Sequence, residues 1–194
     1  MNNHCKLLLI STILGITCLG CAPEAEPKVD YEQLTIQMMR DLTPYLIGTW
    51  NLREVHVKLR GPGYKNPLNL TKDSTFRNLA TMSIVPATKP RLLPVEGRYK
   101  EFEGTIRYGN KTYPIHFSMW PGYWVYDRKS PQAFLLFSYQ FPEGPHITEP
   151  EEQFLDDLGL IYENFSLETT IGQPGMKWVG VNRGIDRIDF VKQQ

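Results

Sequence analysis

From Leu46 onward the chain is a succession of short runs rich in aromatic and β-branched residues, each stopped by glycine, proline, asparagine or serine. Runs of about four to eight such residues between turn signals read as strands. Antiparallel neighbours need only a tight turn, whereas parallel ones need a crossover of a dozen residues or more. The spacing predicts antiparallel strands near 46–59, 77–85, 94–102, 103–108, 112–119, 122–127, 133–141, 160–170, 176–182 and 185–191. An antiparallel sheet of about eight strands closes into a barrel whose interior holds side chains or one small ligand. A two-sheet sandwich is the competing architecture.

The first strand has internal detail. Trp50 and Leu52 share one face, while Val55, Val57 and Leu59 have the opposite parity. A switch near Arg53-Glu54 predicts a β-bulge, one extra residue that turns the following side chains over. Arg60 to Thr75 is a long polar connection, of the kind that is functional or disordered more often than plain. Gly109-Asn110 suits a hairpin turn, and Asn182-Arg183-Gly184 turns the last one. Two helices are expected. One runs from Asp30, a possible cap, to about Leu42, before Pro44, with Tyr31, Leu34, Met38 and Leu42 on one face; it packs on the domain or covers a barrel end. The other spans 149–158, opened by the capping box Thr148-Glu149-Pro150-Glu151 and stopped by Gly159. There Phe154, Leu155 and Leu158 face inward, and Glu151-Glu152 and Asp156-Asp157 form the solvated face.

Residues 1–20 read as a secretory signal: Lys6, then an apolar run from Leu7 to Leu19 that is too short for a membrane span of about 20 residues. The end, Cys18-Leu19-Gly20-Cys21 followed by Ala22, resembles the lipobox of bacterial lipoproteins, with Cys18 standing where that family prefers an aliphatic residue. The resemblance implies cleavage before Cys21, acylation of Cys21, and a chain held at a membrane of the cell envelope. Ala22 resembles the outer-membrane sorting signal of enteric bacteria. An ordinary soluble-secretion signal is the alternative. Residues 21–29 form a short tether and residues 30–194 the domain. The only cysteines are Cys5, Cys18 and Cys21. With Cys21 acylated, the mature chain offers no thiol nucleophile, cysteine zinc site or disulfide. Lys and Arg number 21, as do Asp and Glu, and losing Lys6 leaves the mature chain one unit negative. That balance offers nothing to nucleic acid.

Leu46-Ile47-Gly48-Thr49-Trp50-Asn51-Leu52 resembles the opening strand of lipocalins, where Gly-X-Trp starts the first strand and the Trp closes the barrel floor. With the preceding helix and lipobox, the chain is similar to the lipocalin-like domains of small bacterial lipoproteins. The resemblance implies an all-β antiparallel barrel, with loop 60–75 over the open mouth. It also implies an arginine of the last strand stacked on Trp50, for which Arg187 is the candidate, although alternation with Ile188 and Phe190 sends Arg187 outward. Three strands after helix 149–158 depart from that family's single short one.

The aromatic block 113–126 (YPIHFSMWPGYWVY) is the densest feature of the domain. Ligand pockets are mostly apolar with a few placed polar groups. Phe117, Trp120, Trp124 and Tyr126 are therefore the candidate ligand-binding residues, and core packing is the other reading of the same run. Trp120 and Trp124, if exposed, would instead offer a platform to sugar rings. No nucleophile elbow, zinc-protease helix, phosphate loop or calcium loop is present, so the expectation is a non-enzymatic protein without cofactor or metal. His116 could pair with Glu103 or Asp127 for acid–base work, but reads first as a structural hydrogen-bonding group. Three functions compete: a barrel binding a small apolar or amphipathic ligand, a structural or interaction lipoprotein with a filled barrel, and a carbohydrate-binding module or enzyme.

Overall fold

The computed structural model describes residues 28–59, 61, 66–89, 98–129, 131–139, 149–161, 163–168, 172, 174–182 and 184–193, without the side chains of 138 and 139. The signal segment 1–20, Cys21, residues 22–27 of the tether, and His146 lie outside them. The chain divides into two units, Met1–Asp30 and Tyr31–Gln194, and the fold described is that of the second.

Helix α1 (Tyr31–Leu46) is followed by strands β1 (Gly48–Val57), β2 (Ser74–Arg77), β3 (Thr81–Pro86), β4 (Lys100–Tyr108) and β5 (Lys111–Pro121). Then come α2 (Trp124–Asp127), β6 (Ala133–Tyr139), α3 (Pro150–Leu158), β7 (Asn164–Leu167), β8 (Gly175–Gly180) and β9 (Ile185–Lys192). All pairings are antiparallel. The order is β1-β3-β4-β5-β6-β7-β8-β9, and β9 returns to β1, so eight strands close into a barrel. The sandwich is thereby excluded. Strand β2 is the ninth. It pairs with residues 54–57 of β1 while β3 pairs with residues 48–51 along the same edge. The two are halves of one bent strand, broken where Asn78 takes φ +48° and where Asn78 N and Leu79 N donate to the Arg53 and Leu52 carbonyls.

The bulge forms where the parity of β1 switches. Leu52 pairs with Phe190 and Glu54 with Asp189, leaving Arg53 as the extra residue. Trp50, Leu52, Val55 and Val57 are therefore all buried, and Glu54 and His56 turn outward. Gly48 has φ +136°, and a Cβ there would stand 2.8 Å from Lys192 Cε, which is the physical reason for glycine before Thr49-Trp50. Trp50 is 1% exposed and its Nε1 donates to the Leu46 carbonyl at 2.8 Å, tying the helix end to the barrel floor. The cation over its ring is Lys192, 5.3 Å from the centroid. Arg187 does not reach it: the side chain lies on the outer face, as the alternation required, bonded to Asp189 and His56.

Other boundaries differ from expectation. Helix α1 runs through Pro44 to Leu46. An interior proline costs about 3 kcal/mol, which burial of Leu46 beside Leu42, Met39 and Met38 offsets at about 1.5–3 kcal/mol per large side chain. Tyr31, expected on the buried face, is 43% exposed. The expected strands 94–102 and 103–108 are one strand within the described residues, β4. The expected strand 122–127 is instead the single helical turn α2 within the β5–β6 connection, closed by Arg128 at φ 58° donating to the Trp124 carbonyl. Helix α3 is capped by Glu149 and Glu152 rather than a residue earlier, so Glu152 is buried instead of solvated. Phe154 of α3 packs on Phe76 and Tyr108, covering the gap beside β2. From the loop after β1, Leu68 and Leu70 also pack on the core. Thus α1 closes one barrel end, and α3 with this loop lies over the other.

Candidate functional site

The inward residues of β4–β9 fill the lumen with rings. Phe117 is wholly buried, stacked between Phe102 at 5.1 Å and Phe137 at 4.7 Å. Trp178 of β8 meets Phe117, Phe137, Phe165 and Phe190 at 4.6–6.0 Å. Strands β5 and β8 stand well apart around the barrel, so the Phe117–Trp178 contact spans the lumen. At this level the protein's own side chains occupy the space.

Of the four candidate ligand-binding residues, Phe117 is wholly buried in the lumen, and Trp124 packs half-buried against the same core. Trp120 is half-buried on the outer wall, stacked on Tyr99 at 4.8 Å, with its Nε1 donating to Ser118 Oγ at 2.9 Å. Trp124 lies on α2 under the Arg128 guanidinium, 4.4 Å from the ring centroid. Tyr126 is 64% exposed and touches Tyr31 at 5.1 Å. The four are not brought together.

A groove that sequence reasoning missed forms around Tyr126. It encloses about 470 Å³ between α1 and the β5–β6 connection, lined by Tyr31, Glu32, Thr35, Arg98, Pro121, Gly122, Tyr123 and Tyr126. Gly122 belongs there for packing, since a Cβ would come within 2.2 Å of the Pro131 carbonyl. Tyr123 is as exposed as Tyr126. Arg98 binds Glu32 at 2.6 Å. That hydrogen bond and charge raise the guanidinium further above its usual range. The groove thus offers exposed aromatic faces and an ionic hydrogen-bonding pair side by side. Its residues come from three distant stretches, and only the unusual density of aromatics in 113–126 hinted at one of them.

Two polar clusters lie on the outer wall. His116 stands opposite Glu103 in the ladder, as the strand assignment suggested. Its ion-pair partner is instead the diagonal neighbour Glu101, with Nε2 2.9 Å from the carboxylate and both side chains buried. Asp127 accepts from the Lys129 N–H and belongs to α2. The second cluster joins Glu54 and His56 of β1 to Asp189 and Arg187 of β9. The His56 Nε2 lies 3.3 Å from Glu54 and 3.4 Å from Asp189, and these three could hold a metal ion.

No protein-family model, curated protein or solved structure matches this chain.

Proposed function

We propose that this is a lipid-anchored protein of the cell envelope that binds a small amphipathic molecule in the surface groove, on a barrel that serves as a packed scaffold. The observation that carries the reading is the groove of about 470 Å³ with exposed Tyr31, Tyr123 and Tyr126. These tyrosines touch neighbouring rings on one side only, Tyr126 against Tyr31 and Tyr123 against Phe134, and leave faces open to the groove. Ligand sites combine such faces with a few polar groups; here Arg98 and Glu32 supply them. The anchor is supported by Lys6, the run Leu7–Leu19 and Leu19-Gly20-Cys21. The stretch of chain from Cys21 to Tyr31 reaches at most about 36 Å when extended. A lipid on Cys21 keeps the groove within that distance of the membrane, where amphipathic molecules concentrate. A ligand inside the lumen has less support, because the rings around Phe117 already touch across it.

Two measurements test this. Cys21→Ser should move the protein from the membrane fraction to the soluble fraction, while Cys18→Ser should not; unchanged partitioning of Cys21→Ser rejects the anchor. An anilinonaphthalene sulfonate probe should brighten on the wild-type protein, and Tyr126→Ala or Tyr123→Ala should weaken its binding about tenfold. Binding untouched by both variants removes the groove from the reading.

A further inference from the structure

We propose that Glu54, His56 and Asp189 form a binding site for a divalent zinc-class ion on the outer wall of the barrel, held closed by Arg187 while the ion is absent. The site exists because of the bulge. Without the extra residue Arg53, positions 54 and 56 would continue the inward parity of Trp50 and Leu52. With it, Glu54 and His56 share the outer face of β1, and β9 places Asp189 opposite Glu54 and Arg187 opposite His56.

The three donor atoms lie within 4.8 Å of one another, and the two separations that meet at His56 suit a metal. Around a tetrahedral ion with bonds of about 2.0–2.1 Å, neighbouring donor atoms stand about 3.3 Å apart. The Nε2 of His56 is 3.3 Å from Glu54 Oε2 and 3.4 Å from Asp189 Oδ2. The imidazole is also in the right form. Arg187 Nη2 lies 2.8 Å from His56 Nε2, and a guanidinium can only donate. That nitrogen therefore presents its lone pair, and the proton sits on Nδ1, which donates to Thr75 Oγ1 at 3.0 Å. A metal-bound histidine is fixed in the same way by a partner on its other nitrogen.

Arg187 marks the place of the ion. Its Nε binds Asp189 Oδ2 at 2.9 Å while Nη2 covers the Nε2 lone pair, so one cation already bridges two of the three donors, and Arg77 Nε stands 3.6 Å from the third, at Glu54 Oε1. Carboxylates directly opposite each other on a ladder repel, and a cation between Glu54 and Asp189 relieves that. A divalent ion would neutralise both acids. The Arg187 side chain is 39% exposed and can swing into water. One imidazole and two carboxylates suit zinc and its first-row neighbours, and the three-donor set leaves a fourth position for water or a ligand atom.

The test is zinc titration of the full chain in detergent against a chromophoric chelator, with cobalt(II) absorption reporting coordination. One ion should bind per chain with a tetrahedral cobalt spectrum. His56→Ala should weaken binding at least 100-fold and Thr75→Val about tenfold. Arg187→Leu, which removes the competing cation, should tighten it about tenfold. That gain separates the site from adventitious surface binding, and circular dichroism of each variant checks folding. Wild-type affinity matched by His56→Ala, or an Arg187→Leu protein that binds no tighter, overturns the proposal.

Discussion

The residues of 113–126 supply two aromatic groups with opposite fates. On β5, Phe117 points inward and is enclosed by Phe102, Phe137 and Trp178. Just past Pro121, Tyr123 and Tyr126 stand in water at 64% exposure each. The two groups have similar apolar area, so composition does not separate them. What separates them is backbone. Strand parity sends alternate residues to the core, and the helical turn after Pro121 ends that parity. Rings in the lumen are enclosed on every side; rings at the groove touch a neighbour, Tyr31 or Phe134, and keep most of their surface in water.

The sharpest way to break this comparison is to truncate one ring of each kind. Phe117→Ala and Trp50→Ala remove large, fully enclosed side chains and should each cost about 3–5 kcal/mol in denaturant unfolding. Trp50 also loses its bond to Leu46, so α1 should loosen with it, seen as faster amide exchange in 38–46. If Phe117→Ala costs less than about 1 kcal/mol, the lumen is not packed at that level and a ligand cavity returns to consideration.

The ends of the comparison were unequally legible in the sequence. Trp50 announced itself by the Gly-X-Trp pattern, and the Arg53 bulge by a change of parity that has no other regular cause. The inward set of α3 was readable from Phe154, Leu155 and Leu158. The cation on Trp50 was not, because choosing Lys192 over Arg187 requires the β1–β9 register, with shifts at two places. The partner of His116 was missed for the same kind of reason: the direct neighbour Glu103 was visible and the diagonal Glu101 was not. The turn α2 was read as a strand because a four-residue helix has too little periodicity to show. The groove needs α1, Arg98 and the β5–β6 connection together, which only tertiary contact supplies.

At the groove the expectation reverses. Tyr126→Ala should change unfolding free energy by no more than about 0.5 kcal/mol, as for surface positions without special contacts, while weakening probe binding. The ring contact it forfeits is the one with Tyr31 at 5.1 Å. A loss near that of Phe117→Ala would mean that the tyrosines cement α1 to α2, and the distinction between core rings and groove rings would fail.

The smallest effect belongs to the opposite end, where Lys111 holds α3. Its ammonium lies 2.9 Å from Glu149 and 3.1 Å from Glu151. Hydrogen bonds to Glu149 and then Glu151 keep it well above its ordinary 10.5. Glu151 is held below 4.5, first by its own backbone N–H at the helix start and then by Lys111. The signs follow. A raised lysine contributes stability that is complete below 10.5 and fades as pH rises through its folded value. A lowered carboxyl contributes stability present above 4.5 and lost as pH falls through its folded value. Both groups are solvent-exposed, so water and salt screen the pair and the contribution is small. Lys111→Met should therefore lower the melting temperature slightly at pH 7 and less in 1 M salt, and it should flatten the decline below pH 4.5. A variant whose acid decline matches the wild type would show that the Lys111 ion pairs do not hold α3, leaving its attachment to Phe154, Leu155 and Leu158 and to the Tyr113 hydroxyl that donates to Glu149.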